Sequence, residues 1–350
     1  MFARDRYCRW LAVMTITAAL IGGAQAQTAG ASERYPERTV RFIVPVSPGA
    51  LIDSFARVLA AGLQALWGQS VVVENKTGSA GVTGVVAGLQ SPPDGYTFVF
   101  MGVTSQVIAG AFRDPPPYDP RKDWNPVAIT GKCTFVFLVN DQLPVKNLRD
   151  MVAYIKARPG QLNYGSGGVG SINHLGMEIF KRTTGTQMTH IPFRGGSEAV
   201  IGLTNNSIQV YLTDITAANS AVGMGKSTII GQLGSSRSPM VPDVPAMSEE
   251  GLTPLEAFPW VGLVAPLAVP PAIVAKVNRD VSRVLGDPEW KARAQKLGCD
   301  VVTGPPSTFT KVIEDNVNLW TPTAREIAGA LNAAGRSPWT LSRADIDRTP

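Results

Sequence analysis

Short apolar runs of strand length alternate with amphipathic stretches of helical length along most of this chain, and that alternation leaves few architectures open. "TVRFIVPV", Thr39 to Val46, is a continuous apolar strand. "SPGALID" turns the chain, and "DSFARVLAAGLQALWG" sets Phe55, Leu59, Leu63 and Leu66 on one helical stripe with Gly68 as its stop. "SVVVENK" and "YTFVFMG" read as two more strands, separated by the glycine-rich segment from Gly78 to Gln90. Strands that take turns with helices predict an α/β fold with parallel sheets.

The pattern then starts again. "TFVFLVN", Thr134 to Asn140, is a strand, and "NLRDMVAYIKARPG" a helix capped by Asn147 with Asp150 three places on. "LNYGS" leads into a glycine loop followed by a helix from about Ser171 to Thr184, and "MTHIPFRG" and "IQVYLTD" are later strands. "FPWVGLVAP", Phe258 to Pro266, reads as a return strand, and the helices after it complete the first unit. The expectation is two α/β domains, residues 35–136 plus 259–332 and residues 137–258, with crossings near Thr134–Asn140 and Phe258–Leu263. The segment 335–350 is a polar tail, expected to be disordered.

The amino terminus sets the compartment. A basic start carrying Arg4, Arg6 and Arg9 precedes the apolar run "LAVMTITAALIGGA" and the small-x-small site Ala24-Gln25-Ala26. The run is about a dozen residues against the roughly 20 that span a bilayer, so it reads as an export signal cleaved near Ala26. The net charge of +5 is mild and its basic residues are scattered, which argues against nucleic acid as a partner. Cys133 and Cys299 lie far apart and in no CxxC pattern; an oxidising compartment permits a bond, but two separate buried thiols are the expected state.

Three motifs invite enzymatic readings, and each lacks a required part. Gly165-x-Gly167-x-x-Gly170 matches the dinucleotide fingerprint, yet the position about 20 residues on, where an acid should stand, is near His190. "GMGKST", Gly223 to Thr228, resembles a P-loop, but Ser220 stands where its first glycine belongs. His174 and His190 form no HExxH site, and no GxSxG elbow occurs, so a secreted hydrolase with an unrecognised serine is only a rival reading. No cofactor and no metal are expected.

Two loops share one design of apolar strand, small-residue turn and helix: Val44–Asp53 and Tyr164–His174. Backbone N–H groups at a helix start bind an anion without a formal positive charge, and glycine lets the backbone come close. One loop on each domain lets a small carboxylate be gripped from both sides of a cleft. The candidate contacts are Ser47, Pro48, Gly49, Ala50 and Leu51 on the first loop, with Asp53 as a helix cap, and Thr104 and Ser105 after "YTFVFMG". On the second loop they are Ser166, Gly167, Val169, Gly170, Ser171 and His174, joined by Phe193, Thr213 and Asp214.

Stretches from Tyr35 to about Ala330, among them "YPERTVRFIVPVSPG", "PPDGYTFVF", "LPVKNLRDMVAYIKARPGQLNYGSGGVGSINHL", "HIPFRGG" and "SSRSPMVPDVPAMSEEGL", resemble the Bug (TctC-like) solute-binding proteins of tripartite tricarboxylate transporters. The resemblance implies a type II periplasmic-binding-protein fold, a di- or tricarboxylate ligand (aliphatic or aromatic), the transporter's membrane subunits as partners, and a monomer. A sensing role in place of transport stays open. Family members usually carry Gly-Gly where this chain has Ala50 and Leu51, and often an acid where it has Thr213 followed by Asp214.

Overall fold

The computed structural model describes residues 34–255 and 259–333; the expected export signal, the polar tail 335–350 and Phe258 lie outside the described residues. Eleven strands among the described residues form two sheets: β1 (Val40–Val44), β2 (Val71–Asn75), β3 (Thr97–Gly102), β4 (Trp124–Cys133), β5 (Phe135–Asn140), β6 (Asn163–Ser166), β7 (Thr189–Pro192), β8 (Val210–Asp214), β9 (Ser227–Gln232), β10 (Trp260–Pro266) and β11 (Cys299–Val301). The first sheet has the order β11-β4-β10-β3-β1-β2 and the second β7-β6-β8-β5-β9. The architecture is thus a pair of α/β units, with the second inserted between β4 and β10.

The sheets are mixed, which corrects the expectation of parallel ones. β1 runs parallel to β2 and β3, and β6 parallel to β7 and β8. β10, however, is antiparallel to both β3 and β4, and β5 is antiparallel to β8 and β9. The cause is the insertion. A chain that leaves the first sheet along β4 and comes back along β10 must run in opposite senses on the two strands.

Thr134, the single residue between β4 and β5, ties the two units together. Its N–H donates to the Gly298 carbonyl at 3.2 Å, its carbonyl accepts from the Ile215 N–H at 3.2 Å, and its hydroxyl meets Ser238 Oγ at 2.6 Å. Beside it, Cys133 of β4 and Cys299 of β11 are joined in a disulfide. This overturns the reading of two separate thiols. Cys133 and Cys299 are direct partners in the antiparallel register of β4 and β11, a pairing that the sequence does not show because β11 is only three residues long.

The helices pack on both sheet faces. The stripe of Leu51–Trp67 buries Phe55, Leu59 and Leu63 against the first sheet, beside helix Pro271–Gly286. The long C-terminal helix Pro306–Ala333 covers the opposite face, with Trp320 and Phe309 fully buried and the Phe309 ring edge-on to Trp260 at 5.0 Å. Burying a large aromatic side chain is worth about 2–3 kcal/mol, so these rings anchor the helix. It also reaches the second unit through an exposed ion pair, Arg182 to Glu326 at 2.8 Å, which contributes little.

Candidate functional site

Between the two sheets lies a cleft cavity of about 250 Å³. Its floor is made by the crossing strands: Cys133 at the end of β4, Phe135 at the start of β5, and Pro259 to Val261 at the start of β10. Its walls are the strand ends Val46, Gly102 and Val103 on one side and Tyr211 and Thr213 on the other. The C-terminal edge of strands is where α/β folds place ligands. A larger hollow of about 490 Å³ lies between residues 107–121 and the C-terminal helix, away from those strand ends.

Three helices start at the cleft, two without a side-chain cap and one capped by Ser171. Leu51 and Ile52 begin helix Leu51–Trp67, Ile172 and Asn173 begin helix Ile172–Thr184, and Gly196 begins helix Gly196–Thr204. The first N–H groups of a helix have no intrahelical partner and sit at the positive end of its dipole. A fourth helix, Ile215–Gly223, also starts here, but its amides are taken. The Asp214 carboxylate accepts from the N–H groups of Thr216 and Ala217, both at 3.0 Å, and the Ile215 N–H donates to Thr134. Among the described residues that line the cavity there is no Lys, Arg or His, and Asp214 is the one that carries a charge.

The sequence-predicted contacts divide. Ala50, Leu51, Thr104, Thr213 and Asp214 line the cleft. Ser47, Pro48 and Gly49 are exposed on the outside of the turn. Asp53 is not the cap of its helix; Ala50 holds that place, and Asp53 sits one turn in, buried, accepting from Gly49 N–H at 2.8 Å, Asn75 Nδ2 at 2.8 Å and Arg57 Nε at 3.0 Å. Burial opposes its charge, but these three donors win and hold its carboxyl below the usual range. Ser105 is buried and donates to the Gly102 carbonyl at 3.2 Å.

The loop from Gly165 to Ser171 uses its hydroxyls to shape itself. Ser171 caps helix Ile172–Thr184, accepting from the His174 N–H at 3.3 Å and donating to the Gly168 carbonyl at 2.7 Å. Ser166, fully buried, donates to that carbonyl at 3.0 Å, accepts from the Gly168 N–H at 3.1 Å and meets His190 Nε2 at 2.7 Å. Gly165 is glycine because the Ile208 side chain would stand 2.2 Å from a Cβ there, and Gly170 because its φ is +78°. Gly167 faces the Gly195–Gly196 backbone, Val169 packs on the core, and Phe193 fills the space over Gly202 and Gly165. The fingerprint therefore records close packing and turn geometry.

Beneath the loop, His174 and His190 stack face to face with ring centroids 3.9 Å apart, and Tyr164 stacks on His190 at 4.9 Å. His174 Nδ1 accepts from the Gly170 N–H at 3.2 Å. Burial pushes His174 down to about 4 and, with His174 and Lys181 nearby, His190 down to about 2. Among the described residues, Ser166 and His190 form a serine–histidine side-chain contact that invites a catalytic reading. A serine with no exposed surface cannot meet a substrate, and a histidine that refuses protons is a poor general base.

The tripartite tricarboxylate transporter family receptor model matches residues 55–328. This chain belongs to that family. The receptor is 32% identical to Protein BugT of Bordetella pertussis (strain Tohama I) over 324 residues, which cover 92% of this chain and 98% of that protein. Among solved structures, "R. palustris Rpa4515 with adipate" is 27% identical with a TM-score of 0.74, covering 84% of the receptor and 98% of that chain. "MatC (Rpa3494) from Rhodopseudomonas palustris with bound malate" is 29% identical with a TM-score of 0.71, covering 83% of the receptor and all of that chain, 100%. The receptor is a periplasmic solute-binding protein, and among its described residues no helix is long and apolar enough to cross a membrane.

Val46, Ile52, Ile172, Asn173, Gly196, Tyr211 and Trp260 line the cleft but were not foreseen. Ile172 and Asn173 carried a legible signal, since they hold the first two places of a helix after a small-residue turn. The apolar residues carried none, because a side chain in a cleft wall and one in a core look alike in sequence.

Proposed function

We propose that this receptor captures a small carboxylate in the cleft, without chemistry, and presents it to the membrane subunits of a tripartite transporter. One observation carries the reading: three helix N-termini, one from the first unit and two from the second, converge on a cavity with no basic side chain among its described lining residues, and two of the three have no side-chain cap. Such a site suits an anion held by amides and hydroxyls, with Thr104, Tyr211 and Thr213 at hand. The Rpa4515 and MatC structures, described with adipate and malate, support the same ligand class.

We take the units as residues 35–136 plus 259–332 and residues 137–258; the change of sheet between β4 and β5 and the return along β10 support that division. Two crossings allow a hinge to close over the ligand. The exported location follows from the amino-terminal signal. A thermal-shift screen of mono-, di- and tricarboxylates tests the binding claim, since a ligand at 100 times its Kd adds about 2.7 kcal/mol of stability. A flat screen across all three groups would refute it. Ester or amide hydrolysis by the pure protein, lost in Ser166→Ala, would instead favour the hydrolase.

A further inference from the structure

We propose that Asp214 and the apolar wall restrict this cleft to carboxylates of at most two charges with an apolar body, and that tricarboxylates are excluded. The inference rests on the carboxylate-binding reading and narrows it. Three observations bear on it. First, positive potential comes from three helix starts, each equivalent to roughly half an elementary charge and one of them partly closed by Ser171, and from no cation among the described lining residues. Second, the fourth helix start is closed by Asp214, which spends that terminus and leaves a carboxylate on the cavity wall. Third, much of the lining is hydrocarbon, with Leu51, Ile52, Phe135, Ile172 and Trp260 as large apolar residues at the strand and helix ends.

A dicarboxylate matches this wall. Its two charges can divide between the helix starts of the first and second units, and its methylene or ring body lies on Leu51 and Ile52. A third carboxylate would lose its water without gaining a donor of its own, and it would do so near the Asp214 charge. Excluding a ligand by an unpaired like charge is a common route to specificity. A hydroxyl on the body fares less badly, since it carries no charge, but it too loses water against hydrocarbon.

The test is calorimetry on the full mature protein with six-carbon acids: adipate, tricarballylate and citrate. Adipate is expected to bind at least tenfold tighter than either tricarboxylate. Asp214→Asn keeps a side-chain oxygen for the Thr216 and Ala217 amides and removes the charge, and asparagine caps helices as well as aspartate does. It should narrow the gap between adipate and tricarballylate by about tenfold. Leu51→Ser should weaken adipate about tenfold while leaving the melting temperature nearly unchanged. Tricarballylate or citrate bound as tightly as adipate would overturn the restriction and leave carboxylate capture standing. Tighter binding of 2-aminoadipate than of adipate would also overturn it, because Asp214 would then be a counter-ion for an ammonium group. Failure of all these acids to bind would remove the underlying reading as well.

Discussion

His174 and His190 lie stacked under the loop Gly165–Ser171, and each is held in its neutral form by burial. The folded protein therefore refuses protons that the unfolded chain accepts below the ordinary histidine value of about 6.5. Stability from this pair is complete above about pH 6.5 and drains away as pH falls toward about 4 for His174 and about 2 for His190. Urea unfolding should show a loss on the order of 2 kcal/mol per histidine between about pH 7.5 and about pH 5. His190→Gln keeps a donor for Ser166 and cannot titrate, so its curve should be flatter; an unchanged slope would show that the pair is not the source. Gly170 shows the same dependence on local geometry. Valine there would be strained at φ +78° and would meet the Phe112 ring at 3.3 Å, so Gly170→Val reports on folding more than on anion contact.

At the scale of elements, helix starts do two jobs here, and the caps tell them apart. Asn147 caps helix Leu148–Lys156, taking the Asp150 N–H at 2.8 Å, as its spacing predicts, and that helix end is far from the cleft. Ser171 caps a helix whose first two residues line it. Alanine at either place should cost about 1 kcal/mol in denaturant unfolding, but only Ser171→Ala should also weaken adipate binding. Equal affinities in the two variants would mean that this helix start is not a ligand contact. Most helices with a clean apolar stripe, and strands such as β1, β3 and β8, were legible because periodicity and burial agree there. β4 was not. Pro126 and Gly131 interrupt its apolar run, and the strand tolerates them through register shifts against β10 around Val127 and Thr130. The same blindness hid β11 and the short helix Gly196–Thr204, whose start helps to build the site. Glycine loops were legible as loops, but which hydroxyls turn inward depends on partners such as His190 that arrive from other strands.

For the whole molecule, the disulfide and the Thr134 junction lie together at the base of the cleft. Segment Leu297–Gly298, held to β4 through Cys299, touches the second unit by accepting from Thr216 Oγ1 at 3.3 Å and from the Thr134 N–H at 3.2 Å. Closure on ligand should therefore appear in small-angle scattering as compaction that reduction alters, and an identical profile with and without saturating adipate would rule out a hinge. Replacing both Cys133 and Cys299 by serine should lower stability by about 2–5 kcal/mol. The bond has another consequence. Cys133 and Cys299 are 166 residues apart, and β5 to β10 with the helices Pro271–Gly286 and Pro288–Gln295 lie between them, so the second unit and part of the first form one closed covalent ring. A protease that cuts once anywhere in that ring opens it without releasing either end. A receptor nicked in this way would keep its two halves in register. On a gel it should run as one species until a thiol is added, and as two afterwards.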